Sequence, residues 1–354
     1  MNVIHVLPEF EEGGVERLVL MYANGQASAG HHVYVISHGG KLESSLSPNV
    51  RHIKMPVHRK NPFVIIRCAL SLVRVIREEK VSVVHAHSRV PAWICYIAKK
   101  IAPSVTFIFT AHAKYTLKRY LLPIKRADGV TCVSHSVREH LKDWLPEDDR
   151  VKLIYNPRPD IFTPWVGSGD RLKKHLLYVG RISEKKGPLT AVDALSTVKN
   201  REWTLDVLGD GPLMPKLRER VRALGLGDRI ILHGFRDDVA HAISRCDLFL
   251  SPSFDEGFGL TLMTALASGA PVMASDISAT RELTAHHNEE KSEELLPAGD
   301  ISAWSDAIGR FLDGTFTPTL QCAVKLPTIK EISDEMIEFY EEISGKNNLT
   351  LRNR

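Results

Sequence analysis

Ser251 to Ser275 reads SPSFDEGFGLTLMTALASGAPVMAS. It continues from DLFLS (247–251), an apolar run with the length of a buried strand. Glu256-Gly257-Phe258-Gly259 then makes a flexible loop, a helix opens near Leu260, Gly269 stops it, and Pro271 leads into APVMAS (270–275) as the next strand. Strand, loop, helix and strand together form a βαβ unit, which requires a parallel sheet with helices on its faces. Doubly wound sheets bind ligands at the carboxyl ends of their strands, so the loop from Ser251 to Gly259 is where chemistry is expected. Its backbone N–H groups and the positive helix end suit an anion. Glu256 offers a carboxylate that can accept sugar hydroxyls or stabilise oxocarbenium-like charge, although a helix-entry residue favoured by the dipole would look the same.

Working outward, the same rhythm recurs in HLLYVG (175–180), WTLDVLG (203–209) and RIILHG (229–234), and so the second half is one parallel sheet. The first half repeats it, with strands expected at 2–7, 33–37, 50–54, 81–86, 105–110, 129–133 and 151–155. Amphipathic segments near 15–29, 62–79, 90–101 and 135–145 lie between most of them. Between the halves, NPRPDIFTPWVGSGD (156–170) has linker composition. The fold class is therefore α/β, with two Rossmann-like doubly wound domains over 1–160 and 161–325. A last helical pattern near 328–343 opens a C-terminal segment, 326–354, expected to return to the first domain. The 354 residues at 44% hydrophobic suffice for two cores of this size.

Two further loops attract attention. Gly13-Gly14 follows the first strand and opens a helix, letting backbone N–H groups approach an anion, though a tight turn would read alike. LYVGRISEKKG (177–187) places Arg181 and Lys186 beside Gly180 and Gly187. A forked guanidinium and a compact ammonium on one loop can neutralise a departing diphosphate without a metal, and a solvated basic loop is the alternative.

Other features bound the function. His85 and His87 fall on one face of a strand and His112 ends the next, which permits a metal. Packing and hydrogen bonding explain them better, and no metal or other cofactor is expected. The five cysteines are scattered without C-x-x-C spacing and read as reduced packing residues. No signal peptide is evident at the start, and the expected location is cytoplasmic.

The net charge of +4 conceals an asymmetry: residues 1–160 carry 23 Lys and Arg against 14 Asp and Glu, leaving +9 there and −5 beyond. PFVIIRCALSLVRVIREEK (62–80) reads first as a helix packed on its own sheet, and KYTLKRYLLPIKR (114–126) as a surface element. Both mix apolar and basic residues and suit peripheral contact with an anionic membrane, at the inner face of the cytoplasmic membrane. No pattern of stacking aromatics accompanies the cations, so no nucleic-acid partner is expected.

In order, GGVERLVL (13–20), VVHAHSRVPAW (83–93), FTAHA (109–113), CVSHSV (132–137), IYNPRPDIFTP (154–164), LYVGRISEKKG (177–187), LGDGPL (208–213), LHGF (232–235), SFDEGFGL (253–260) and ASGAPVMASD (267–276) run along the chain. This series resembles the retaining glycosyltransferases of family 4. Several motifs, VVHAHSRVPAW above all, are similar to those of bacterial enzymes that build lipopolysaccharide cores. The resemblance implies the GT-B architecture, with the two domains facing across a cleft, and transfer of a hexose or related sugar from a nucleotide sugar donor to a glycan or lipid-linked acceptor. It implies that Gly13 and Gly14 approach the donor phosphate and that Arg181 and Lys186 bind the diphosphate. His112 and Glu256 would attend the reacting sugar, with Phe258, Gly259 and Leu260 against sugar and phosphate. Gly234 and Phe235 complete the donor set, and pocket shape around LHGF selects sugar and nucleobase.

One position departs from the family. Its Glu-x7-Glu motif expects a second glutamate where this chain has Thr264, whose hydroxyl replaces only part of a carboxylate's contact with ribose. Two alternatives follow: a nucleotide-sugar-binding partner with impaired catalysis, and a soluble sugar or glucan synthase.

Overall fold

A computed structural model describes residues 1–158, 163–170, 173–198, 200–284, 295–322 and 324–352, the last five without their side chains. The chain forms two compact units, Met1–Pro157 with Leu326–Arg354, and Arg158–Lys325. The boundary expected at 160/161 lies outside the described residues.

The first unit is a seven-stranded parallel sheet: β1 (Asn2–Val6), β2 (His32–Ser37), β3 (Val50–Lys54), β4 (Val83–Ala86), β5 (Thr106–Ala111), β6 (Gly129–Cys132) and β7 (Val151–Leu153). Their spatial order is β3-β2-β1-β4-β5-β6-β7, so the winding direction reverses between β1 and β4. Every residue of β4, β5 and β6 is buried, which is what a sheet covered on both faces demands.

Helix Pro62–Glu78 shows how locally the sequence encodes these elements. The Asn61 side chain accepts the Phe63 N–H at 2.9 Å and Pro62 supplies a first turn that needs no donor. Ile65, Cys68, Ala69, Leu72, Val73 and Ile76 then recur at helical spacing to form the buried face.

The last helix, Ile329–Arg352, begins where its pattern predicts and runs further. Ile332, Met336, Phe339, Tyr340 and Ile343 join Val3, Leu18, Val83 and Ile108 in one core cluster, so the chain's end completes the first unit. A Cβ on Gly25 would come within 2.4 Å of the Ser333 hydroxyl, so its absence lets helices Gly14–Ser28 and Ile329–Arg352 approach closely.

The second unit is a six-stranded parallel sheet: β8 (Lys174–Val179), β9 (Trp203–Leu208), β10 (Ile230–Gly234), β11 (Leu248–Ser251), β12 (Val272–Ser275) and β13 (Leu295–Leu296). Its order, β10-β9-β8-β11-β12-β13, reverses between β8 and β11. Trp203 and Trp304 are fully buried in its core. Four of the five cysteines are buried and none is bonded to another. Among the described residues no helix is long and apolar enough to cross a membrane.

Candidate functional site

At the β8/β11 reversal, the loops after the two strands are tied together. Lys186 Nζ lies 2.5 Å from Glu256 Oε1, and the same oxygen accepts the Ser253 hydroxyl at 2.8 Å. Beside this pair Lys185 meets Asp255 at 2.7 Å, and the Phe254 N–H donates to the Lys185 carbonyl at 2.8 Å. Gly187 is left-handed, at φ +60°, and a Cβ there would stand 1.9 Å from the Pro252 carbonyl oxygen, so only glycine permits the approach. Tyr178 supports the loop from beneath: its hydroxyl reaches the carbonyls of Arg181 and Lys186 at 3.4 and 3.3 Å. Burial, then the nearby Glu256 charge, holds that phenol protonated far above its usual range.

Arg181 and Lys186 are thus brought to one loop. The Arg181 guanidinium is exposed and makes no ion pair among the described residues. Gly259 caps helix Leu260–Ser268 at φ +88°, a conformation that favours glycine, so the helix begins four residues after Glu256. The Phe258 ring is core, leaving backbone as its contribution here. Thr264 spends its hydroxyl proton on the Leu260 carbonyl at 2.9 Å, one helical turn back. What remains to it is acceptor capacity.

Gly234 ends β10 and Phe235 follows it, where the pairing with β9 shifts register between Leu232 and Gly234. That irregularity brings the Gly234 carbonyl to the Gly209 N–H at 2.7 Å and leaves Phe235 exposed. Hollows of about 470 Å³ beside Asp210 and Gly211, and about 310 Å³ beside His233 and Arg236, flank this edge. Neither is lined by Lys186 or Glu256.

In the first unit, Gly13 precedes helix Gly14–Ser28 as expected, but the Glu16 carboxylate folds over it. A Cβ at Gly13 would meet Glu16 Oε2 at 2.1 Å. The helix's positive end therefore already faces an acidic side chain.

His112 follows β5 and is half-buried. Behind it, His5 and His87 meet across the β1/β4 reversal at 2.9 Å, and His87 reaches His112 at 3.1 Å. Ligand nitrogens of His5, His85 and His87 lie within 4.8 Å of one another. Burial lowers His5 to about 4 and His112 to about 3, and His85 and His87 fall well below their usual value for the same reason. All four rings are neutral at pH 7. Sequence reasoning misses His5, because only the adjacency of β1 and β4 brings it to His87.

Residues 12–159 match the family model of Glycosyltransferase Family 4, and residues 173–314 that of Glycosyl transferases group 1. The chain is 24% identical over 306 residues to N-acetyl-alpha-D-glucosaminyl L-malate synthase of Bacillus anthracis, covering 79% of each. It is 35% identical over 151 residues to the lipopolysaccharide core biosynthesis mannosyltransferase LpsB of Rhizobium meliloti, covering 41% of this chain and 43% of that one. Anabaena HepE, solved in complex with UDP and glucose, superposes over the whole of both chains with a TM-score of 0.75 at 17% identity, which establishes a common fold.

Proposed function

Because the chain belongs to the glycosyltransferases whose halves carry the family 4 and group 1 domains, we propose that it moves a hexose or related sugar, with retained anomeric configuration, from a nucleotide diphosphate donor to a lipopolysaccharide core or another cell-surface glycan. The observation that carries this reading is the Lys186–Glu256 pair at the β8/β11 reversal, a cation and a carboxylate joined where such a sheet binds ligands.

Arg181 and Lys186 take the diphosphate, aided by N–H groups from Phe258 to Leu260, while Glu256 orients the donor sugar. Thr264 accepts from ribose, and Gly234 and Phe235 border the base. Gly13, Gly14 and His112 act from the first unit on phosphate and sugar. As the bond from sugar to diphosphate breaks, negative charge grows on the leaving oxygen, and two fixed cations stabilise it without a metal ion. The leaving phosphate takes the proton of the acceptor hydroxyl. The UDP and glucose of HepE support the donor class, and the name of LpsB supports the acceptor.

NMR of the product tests retention: an α-linked product from an α-donor is expected, and inversion would sink the assignment. A thermal-shift panel of nucleotide sugars identifies the donor, since a ligand bound tightly by the folded state raises its melting temperature. The N-acetyl-alpha-D-glucosaminyl L-malate synthase relative favours a second reading, transfer to a small soluble acceptor, which predicts turnover without lipid or glycan. Stabilisation by a donor with no turnover on any acceptor would instead mark a binding partner of impaired catalysis.

The acceptor reading places the enzyme at the inner face of the cytoplasmic membrane. Helix Pro62–Glu78 buries one face as expected, yet its other face exposes Phe63 at 83% together with Ile66 and Leu70, beside Arg67, Arg74 and Arg77. Leu117, Tyr120 and Leu122 are exposed with Lys118 and Arg119. Helix Arg89–Ile101 connects the two areas: it packs on Pro62–Glu78, and its Trp93 donates to the Tyr120 carbonyl at 3.1 Å.

A further inference from the structure

We infer that Gln26, His5 and His87 form a buried relay that fixes the tautomer of His112, so that its outward ring nitrogen, Nδ1, is a hydrogen-bond acceptor only. The inference rests on the reading above, in which His112 attends the donor sugar.

The relay is defined by three contacts. The Gln26 carbonyl oxygen lies 2.9 Å from His5 Nε2, His5 Nδ1 lies 2.9 Å from His87 Nε2, and His87 Nδ1 lies 3.1 Å from His112 Nε2. A neutral imidazole has one N–H and one bare nitrogen, so each link dictates the next. An amide oxygen only accepts, so His5 carries its proton on Nε2 and leaves Nδ1 bare. His87 must then donate from Nε2 and accept at Nδ1, and His112 must donate from Nε2. Its Nδ1 is left with a lone pair and makes no hydrogen bond among the described residues.

Three features keep the chain from rearranging. Gln26, His5 and His87 are 1% exposed or less, which shields their contacts from bulk water. Burial also keeps each ring neutral, so no ring becomes a donor at both nitrogens. His85, its ring tilted against that of His87 with centroids 4.1 Å apart, is engaged elsewhere: Nδ1 meets the Tyr340 hydroxyl and Nε2 the Thr110 hydroxyl, both at 2.6 Å. Tyr340 belongs to the last helix, so the chain's end closes the polar layer that the relay crosses.

The same nitrogens permit a metal, but their protons and lone pairs are already spent on one another, on Gln26 and on hydroxyls, and among the described residues no carboxylate joins them to balance a dication. A relay ending in a bare Nδ1 is suited instead to accepting a hydroxyl of the donor sugar. Gln26, His5 and His87 are then positioning residues, since they act only through His112.

Long-range ¹H–¹⁵N NMR of the histidine-labelled full chain reads the tautomers directly, with His112 assigned from the signal lost in His112→Gln. The relay predicts His112 protonated on Nε2 in the unliganded wild type, and that fixed form lost in Gln26→Leu, which keeps the volume but offers no acceptor. An Nδ1-protonated His112 in the wild type overturns the inference, as does a Gln26→Leu spectrum unchanged from it. So does one equivalent of Zn²⁺ shifting the His5, His85 and His87 signals together. With whichever of UDP-glucose, UDP-galactose, UDP-N-acetylglucosamine and GDP-mannose stabilises the wild type most, Gln26→Leu should lose about tenfold or more in kcat at nearly constant donor KM. Unchanged turnover with the tautomer lost shows that the relay does not position His112 for reaction. The expected tautomers in a protein stabilised by none of the four donors would count against the sugar-transfer reading and leave the relay standing.

Discussion

The two sheets reverse their winding in the same way, and each reversal carries a polar link of opposite kind. In the first unit, β1 and β4 are joined by His5 and His87, neutral and fully buried. In the second, β8 and β11 are joined by Lys186 and Glu256, ionised side chains at 27% and 11% exposure. Solvent access explains the difference. His5 sits within its strand, where an unpaired charge costs several kcal/mol, so only groups that satisfy one another without ionising survive there. Lys186 and Glu256 sit beyond their strands, on loops that water and a ligand can reach. The first reversal satisfies neutral groups in the interior, and the second pairs opposite charges on loops nearer solvent.

Removing the charged link should have the largest effect. Lys186→Met and Glu256→Gln are each expected to lower kcat/KM by about 10²–10³, the usual scale for deleting one preorganised electrostatic contact. Stability should change little, because a partly exposed pair contributes about 1 kcal/mol or less. Steady-state kinetics alongside a melting curve separate the two. A variant that melts early while retaining full activity would make the pair a structural tie and erase the contrast.

The neutral link should fail in acid. His5 ionises at about 4 in the folded state and near 6.5 when unfolded, so between those values the unfolded chain binds more protons and folding weakens as pH falls. His5 alone accounts for about 3 kcal/mol by pH 4, and His112, lowered to about 3, acts in the same direction. None of the second unit's described histidines is buried. Hydrogen exchange at pH 7.5 and pH 5 should therefore show β1 and β4 losing protection before β8 and β11. Simultaneous loss in both sheets would mean that the histidines do not set the acid limit.

Much of this is legible from spacing. Buried parallel strands such as VVHA and TFIFTA announce themselves as β-branched and aromatic runs, and H-x-H predicts two rings on one face. The two-residue strand Leu295–Leu296 is too short to carry a period, and the helices at Pro188–Ser196, Met214–Ala223 and Ile301–Leu312 are delineated by the fold and not by the sequence reading. The candidate site is legible as separate residues and not as contacts. Lys186 and Glu256 are 70 positions apart and His5 and His87 are 82, and only strand order brings each pair together.

Thr264→Glu gives a smaller effect and sharpens the account of the second unit. The wild-type hydroxyl donates to Leu260 and can accept one ribose hydroxyl, where a carboxylate accepts two or more. A hydrogen bond to a charged group contributes about 1.5–3 kcal/mol, so calorimetry should find the donor bound about tenfold tighter or better. Collapse of binding would show that ribose lies elsewhere.

The smallest effect concerns the outer surfaces, where the contrast runs the other way: the first half carries the net positive charge. Phe63, Ile66 and Leu70 stand at i, i+3 and i+7 on one exposed stripe of helix Pro62–Glu78, with Arg67 and Arg74 beside them. Burying a Phe side chain in a membrane interface contributes about 1.5–3 kcal/mol, and each nearby cation about 1 kcal/mol at an anionic surface. Both terms are needed, because a single apolar anchor holds a protein only transiently. The wild type should float with anionic liposomes at low salt, and Phe63→Ser should reduce the bound fraction several-fold. Raising the salt should release the rest, since the remaining attraction is screened within a Debye length of about 10 Å at 0.1 M. Equal flotation with neutral liposomes would remove charge from the account, and no flotation at low salt would remove the membrane.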